Sequence, residues 1–245
     1  MTTPVPDRDG FLREWSGLHG GYDATTGMWL VRWWLGLVYR LGRPLAVGGI
    51  GPTSITVAGT LLTGAMLPAA ALGGPYPLLA AMIVVAGGLL DNLDGCVAVL
   101  TRRVTPWGYV LDSLADRICD GIYLVAFWLL GAPGGVCAVA GAAVALLEYL
   151  RARAGNVGFC EIGVVTVGER PTRIIITVIA MLGAAIDPGR ADLAGMIGAA
   201  ATATVCAGGL IQLGIVVHRT LRTATLRTAT LPTATLPTGA GVSRH

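Results

Sequence analysis

The stretch Asp91-Asn92-Leu93-Asp94-Gly95-Cys96-Val97-Ala98, continued at Gly108-Tyr109-Val110-Leu111-Asp112-Ser113-Leu114-Ala115-Asp116, sets four aspartates into an otherwise apolar run. Ionisable residues are expensive inside a membrane span, and there they signal a functional site. Asp91 and Asp94 are three residues apart and Asp112 and Asp116 four, so on helices each pair shares a face. The connection at residues 101–106 is short, which predicts antiparallel neighbouring helices whose four carboxylates converge. At close range they repel, and either protons or cations must neutralise them. Oxygen ligands without a convergent His or Cys favour a hard ion, Mg2+ or Mn2+, and four acids suffice for one ion or for two about 4 Å apart. Mg2+ usually completes its shell with substrate phosphates, which points to a phosphorylated substrate. Gly95 follows Asp94 and Gly108 lies one turn before Asp112, so a flat or bulky group can approach either backbone. Asp120, one turn beyond Asp116, has no partner acid at its own depth and is expected only to line the same cavity.

Outside this stretch the chain is equally apolar. Of its 245 residues 54% are hydrophobic and 13% charged, which excludes an ordinary soluble domain. A membrane-crossing helix needs about 20 apolar residues. Six segments approach that length: residues 55–72, 78–100, 107–130, 134–150, 172–186 and 193–217. The expected fold is therefore an all-α integral membrane bundle of six transmembrane helices with short connections. Residues 1–10 are polar and lead into no short apolar run with a cleavage site, so no signal peptide is expected. Cys96, Cys119, Cys137, Cys160 and Cys206 are widely spaced and read as small buried hydrophobes rather than a disulfide or zinc framework.

Short loops rich in arginine stay on the cytoplasmic side. Arg102, Arg103, Arg151, Arg153, Arg170, Arg173, Arg219 and Arg222 fall on one side if the spans alternate, leaving only Arg190 opposite. This predicts a multi-pass protein of the cell membrane with both termini and the acidic site cytoplasmic. Residues 1–23 read as a polar N-terminal segment. Residues 24–46 read as a juxtamembrane interfacial amphipathic helix, with Trp29, Trp33 and Trp34 at headgroup level and Arg32, Arg40 and Arg43 on one stripe with Gly36. Residues 51–218 form the six-helix membrane domain. Residues 219–245, a Thr-Ala-Thr-Leu repeat with prolines, read as a disordered tail.

The quoted stretch resembles the D-x-x-D-G-x-x-A-R and G-x-x-x-D-x-x-x-D signature of the CDP-alcohol phosphotransferases, from about Gly51 through the sixth span. The resemblance implies a homodimer of six-span subunits that transfers a phosphatidyl or similar phospho-alcohol group from a CDP-lipid donor to an alcohol, releasing CMP, in phospholipid biosynthesis. It further implies that Asp91, Asp94, Asp112 and Asp116 hold the metal, that Asp116 deprotonates the acceptor, and that Gly95, Ala98, Gly108 and Thr56 shape the CDP site. The family's arginine after the alanine is Val99 here, and Arg102 and Arg103, about a turn further on, are the candidates to reach the same phosphates. The family's Pro-Asn at the first span reads Pro52-Thr53.

Arg151, Arg153, Arg170 and Arg173 face the same end and suit a phosphate on the acceptor. Their context is similar to actinobacterial phosphatidylinositol-phosphate synthases, although Glu148 stands where that subfamily has a small hydroxyl residue. Inositol phosphate and glycerol phosphate are the candidate acceptors. The partners are thus a CDP-lipid, a small alcohol or phospho-alcohol and membrane lipid, with no nucleic acid. The alternatives are a catalytically impaired relative serving as a partner subunit, motivated by Val99, and a cation or proton transporter using the same acids. A prenyltransferase would space its aspartates more widely.

Overall fold

Prolines mark where several helices begin, since a residue without an N–H is tolerated in a first turn and its fixed φ suits the helix. The computed structural model describes residues 6–18, 29–156 and 166–229. Its helices are α1 (Arg8–Leu18), α2 (Trp29–Val47), α3 (Pro52–Gly64), α4 (Met66–Leu72), α5 (Tyr76–Leu100), α6 (Pro106–Leu129), α7 (Gly134–Asn156), α8 (Arg170–Ile186) and α9 (Ala191–Ala229), with a 3-10 turn at Pro188–Arg190 before the last. Pro52, Pro106 and Pro171 stand in first turns. Thr105 caps α6 by accepting a 3.0 Å hydrogen bond from the Gly108 amide. No strand occurs among the described residues.

All six apolar segments are helical, with two adjustments. The first is split at Ala65 into α3 and α4. Pro68 explains this, because its ring cannot donate to the carbonyl four residues back and crowds it. The last runs on to Ala229, so the first repeat units, assigned by sequence to a disordered tail from residue 219, are helical. Alanine, leucine and arginine sustain a helix there, and no proline intervenes before Pro232. Residues 230–245 lie outside the described residues. The N-terminal segment read as polar contains α1, whose Phe11 and Leu12 are buried.

Among the described residues four helical stretches are long and apolar enough to cross a membrane: Pro52–Leu72, Tyr76–Leu100, Gly134–Asn156 and Pro188–Arg222. The other two differ for simple reasons. α6 carries Asp112, Asp116, Arg117 and Asp120, and α8 has 17 residues. Even so, α6 turns Val110, Leu114, Ile118, Val125 and Trp128 outward at helical spacing, and α8 exposes Ile175 and Ile179. Their charges face inward, with Asp120 and Arg173 buried. An apolar outside around a polar inside is the arrangement a bilayer selects.

α5 is central, packing on α2, α3, α4 and α8, while α7 packs most extensively on α9. The α3–α5 approach is close: a Cβ on Gly87 would lie 2.4 Å from Thr63 Oγ1. α5 and α6 pack on α3 and α4 rather than tightly on each other, which differs from the neighbouring pair the short connection predicts and opens a space between them. α2 buries Leu35 and Val38 in a cluster with Leu93, Cys96, Val97 and Leu100 of α5, and exposes Trp29, Trp33, Arg32, Arg40 and Arg43. Cys96, Cys119, Cys137 and Cys206 are buried free thiols; Cys160 lies outside the described residues.

Candidate active site

Three of the four aspartates converge. Asp91 from α5 and Asp112 and Asp116 from α6 each offer a carboxylate oxygen, and these oxygens lie within 4.8 Å of one another. Arg170, at the start of α8, pairs with both Asp91 and Asp116. Three carboxylates against one guanidinium leave a surplus of two negative charges when all are ionised, which a divalent cation would balance. An all-oxygen set with no histidine or cysteine fits a hard ion.

Asp94 stands one step apart. It is buried, and its Oδ2 accepts a 2.6 Å hydrogen bond from Thr56 Oγ1 on α3. Thr56 also donates toward the Pro52 carbonyl at 3.1 Å. Asp94 is thereby aimed and held rather than gathered into the three-acid cluster.

A cavity of about 580 Å³ opens between α5 and α6, a size suited to a small-molecule ligand. Asp91, Asp94 and Asp112 line it together with Gly95, Ala98, Gly108, Thr56 and Arg103. A Cβ on Gly95 would meet nothing within 4 Å, so its surface is free for a flat group. Gly108 has a local reason as well, since a Cβ there would come to 3.2 Å from the capping Thr105 hydroxyl. Val99, in the place of the signature arginine, is buried in the cavity wall. Arg103 reaches that wall and Arg102 does not. The reason is the end of α5, where Arg102 takes a left-handed conformation (φ 55°) and the Arg103 amide bonds back to the Ala98 carbonyl at 2.8 Å, closing the helix and turning the two arginines apart.

Phe11 and Trp15 of α1 complete the wall. These residues escaped the sequence reading, although Phe11, Leu12 and Trp15 follow helical spacing. Trp34 of α2 donates through Nε1 to Asn92 Oδ1 at 3.2 Å, tying the N-terminal helices to the acid-bearing segment.

Beyond the acids lies an ion network. The carboxylate of Glu148, on α7, meets Arg117 Nη1 of α6 at 2.9 Å, Arg173 Nη2 of α8 at 2.9 Å and Arg151 Nε at 3.8 Å. Asp120 lies 3.2 Å from Arg117 and 3.3 Å from Arg173, and Arg117 Nη2 stands 3.7 Å from Asp116. Arg151 is gripped by both oxygens of Glu169, at 3.0 and 2.7 Å. Of the four predicted acceptor arginines, Arg170 reaches the acids, Arg151 and Arg173 are bound to carboxylates, and Arg153 is exposed and enters no ion pair among the described residues. Asp120 is not merely cavity lining but a member of this network. Arg117 was missed, although an arginine within a span carries the same signal as an aspartate there.

Glu169 lies outside the spans, just before α8. Its burial pushes the carboxyl up, but hydrogen bonds from Arg151 and from the Thr166 amide outweigh that and hold it below the ordinary glutamate range.

Comparison with known proteins agrees with this geometry. Archaetidylinositol phosphate synthase of Pyrococcus horikoshii is 34% identical over 151 residues, covering 61% of this chain and 79% of that protein. Phosphatidylinositol phosphate synthase of Mycobacterium tuberculosis superimposes with a TM-score of 0.55 in its CDP-DAG-bound structure, at 25% identity and over 72% of this chain and 92% of that one. Its complex with manganese and citrate gives a TM-score of 0.58 at 25% identity, over 74% and 88%. Residues 50–207, which hold the aspartates, most of the cavity wall and the arginines, match the profile of the CDP-alcohol phosphatidyltransferases. The chain belongs to that family of membrane enzymes of phospholipid biosynthesis.

Proposed function

We propose that this chain transfers the phosphatidyl-type group of a CDP-lipid to a hydroxyl of a phosphate-bearing alcohol, of which inositol phosphate is the leading candidate, and releases CMP. The observation that carries the reading is the three-acid cluster of Asp91, Asp112 and Asp116 opening onto the cavity between α5 and α6. The acceptor class is supported by relatives named archaetidylinositol phosphate synthase and phosphatidylinositol phosphate synthase and by the arginines behind the acids.

In this reading Asp91, Asp94, Asp112 and Asp116 hold Mg2+ or Mn2+, which fits a surplus of carboxylate oxygen and a relative whose structure contains manganese. A divalent ion bound there would neutralise charge on the donor's pyrophosphate. Thr56 keeps Asp94 aimed. Gly95, Ala98 and Gly108 leave room for the cytidine, and Arg103 takes the phosphate contact vacated by Val99. Asp116 takes the proton of the acceptor hydroxyl as its oxygen attacks the lipid-side phosphorus. The bond from that phosphorus to the CMP oxygen breaks, and its electron pair leaves with CMP. Arg170, Arg151 and Arg153 provide positive charge for the acceptor. Arg173, buried against Glu148 and Asp120, supports that region from behind.

The membrane arrangement belongs to the same proposal. Six crossings are assigned, because α6 and α8 span about 36 and 25 Å and turn apolar faces outward. α2 is assigned to the interface, with Trp29 and Trp33 among headgroups. The arginine-rich end, with the site, faces the cytoplasm of a cell-membrane protein that pairs as a homodimer. Residues 51–218 form the membrane domain.

The test is CMP release by purified protein in detergent with Mn2+ and CDP-diacylglycerol, offering inositol phosphate, glycerol phosphate, inositol and serine separately. Release with a phosphorylated acceptor, abolished by EDTA, is expected. Release with none of them refutes the donor and acceptor assignment.

A further inference from the structure

Three guanidinium groups from three helices, Arg117 of α6, Arg151 of α7 and Arg173 of α8, converge on one carboxylate, that of Glu148. Such convergence is how proteins build a site for a phosphate or carboxylate anion. Here the anion is part of the chain. The Glu148 side chain is 21% exposed and those of Arg117 and Arg151 are 31% and 38% exposed, whereas Arg173 and Asp120 behind them are nearly sealed. The carboxylate therefore sits at the accessible side of the cluster, over a buried floor. Through Arg117, whose other terminal nitrogen lies 3.7 Å from Asp116, it is one guanidinium away from the carboxylate that we assign as the base. A hydroxyl at Asp116 and a phosphate at the place of Glu148 would then belong to one small acceptor.

Charge balance limits what can enter. Arg117, Arg151 and Arg173 are matched one for one by Asp120, Glu148 and Glu169. Within this cluster an incoming phosphate thus meets no uncompensated guanidinium unless a carboxylate withdraws. Glu169 is held by both of its oxygens and by the Thr166 amide. Asp120 is buried. Glu148, on the exposed side, on a long side chain and tied by the arginines alone, is the one able to swing away.

We propose that Glu148 is a specificity-determining residue: its carboxylate occupies the anion site of the acceptor half, and a phosphate-bearing acceptor binds by displacing it. The proposal rests on the phosphorylated-acceptor reading above and adds that affinity for such an acceptor is held down by an internal competitor. An uncharged acceptor does not compete with Glu148 and is unaffected by it.

The experiment measures CMP release from CDP-diacylglycerol with Mn2+ for wild type and Glu148→Gln, titrating inositol phosphate and, separately, inositol. Removing the competing charge while keeping the side chain's shape is expected to lower KM for inositol phosphate about tenfold, with KM for CDP-diacylglycerol unchanged. Inorganic phosphate should become a correspondingly stronger competitor of the acceptor. An unchanged or raised KM for inositol phosphate, with the wild type active on it, overturns the inference and leaves the acceptor reading standing. Release by neither protein with inositol phosphate, but by both with inositol, overturns the acceptor reading and the inference with it. Use of inositol phosphate by Glu148→Gln alone overturns both the acceptor reading and displacement of Glu148 in the wild type, and leaves Glu148 as a barrier to charged acceptors. Should the glutamine variant fail to fold, Glu148→Asp retains the charge and draws it back by one methylene; a smaller fall in the same KM supports the competition, and no fall overturns it.

Discussion

The two halves of the site are built on different principles. In the half that we assign to the donor, the residues are placed mainly by their own helices: Asp91 and Asp94 by one face of α5, Asp112 and Asp116 by one face of α6, and Arg103 by the closing turn of α5, with Thr56 of α3 holding Asp94. In the arginine half no helix suffices. Arg117, Glu148, Glu169 and Arg173 come from α6, α7, the segment before α8, and α8 itself, and each is meaningful only through its partners. Local geometry makes the first half robust and readable. Pairing across helices makes the second half adjustable, since one substitution can change its net charge without moving a backbone. Acceptors should accordingly diversify in this architecture more readily than donors.

The strongest way to break this comparison is to remove a carboxylate from the cluster. Asp112→Asn keeps the shape and loses one charge among three, and is expected to reduce CMP release by about a thousandfold. Its elution from a sizing column should not change, because Asp112 itself enters no ion pair among the described residues. Loss of folding would show that the acids are structural, and that the two halves are not so different.

A step smaller is Thr56→Val, which preserves volume and deletes the 2.6 Å hydrogen bond to Asp94. About a ten- to hundredfold loss of activity is expected, together with a higher Mn2+ concentration for half-activation. If activity falls and the metal requirement stays put, Thr56 acts on the nucleotide directly and Asp94 is positioned by other means.

On the arginine side the effect is on stability. Glu169 titrates below the ordinary glutamate range when folded, so its contribution is complete above the unfolded value, about 4.3, and is lost as pH falls through the depressed folded value. Glu169→Gln should destabilise the protein by about 1 kcal/mol at neutral pH, a figure held down by the solvent exposure of Arg151. Thermal unfolding in detergent at pH 7 and near pH 3 checks this: the gap between variant and wild type should close on the acid side. A gap that persists would mean that the hydrogen bonds, not the charge, carry the pair.

How much was legible follows the same division. Apolar runs disclosed all six helical segments, and the three- and four-residue spacings disclosed the acids, because both depend on the period of a single helix. The break at Ala65 was also local, though Pro68 had to be weighed against an apolar run that continues past it. α1 was hidden by a composition that looks polar, since two buried residues, Phe11 and Leu12, outweigh their charged neighbours only once α2 and α5 are there to cover them. The arginines were visible as charges. What they bind was not visible: Arg173 read as a ligand for the acceptor, and it is sealed against Glu148 and Asp120.

The smallest effect separates two adjacent residues of the donor half. Arg102 and Arg103 were indistinguishable in sequence, and the end of α5 distinguishes them: Arg102 takes the left-handed position where glycine is usual, and Arg103 lines the cavity. A side chain in that conformation costs about 1–2 kcal/mol, part of which glycine would return as chain entropy in the unfolded state. Arg102→Gly is therefore expected to leave CMP release unchanged and to raise stability slightly, by under about 1 kcal/mol. Arg103→Gln should raise KM for CDP-diacylglycerol a few-fold, since it removes a charged hydrogen bond to phosphate at a partly open site. Equal losses in the two variants would mean that the charge of the turn as a whole serves the donor, and the claim that each residue of this half is aimed by its own helix would fail at its most exposed point.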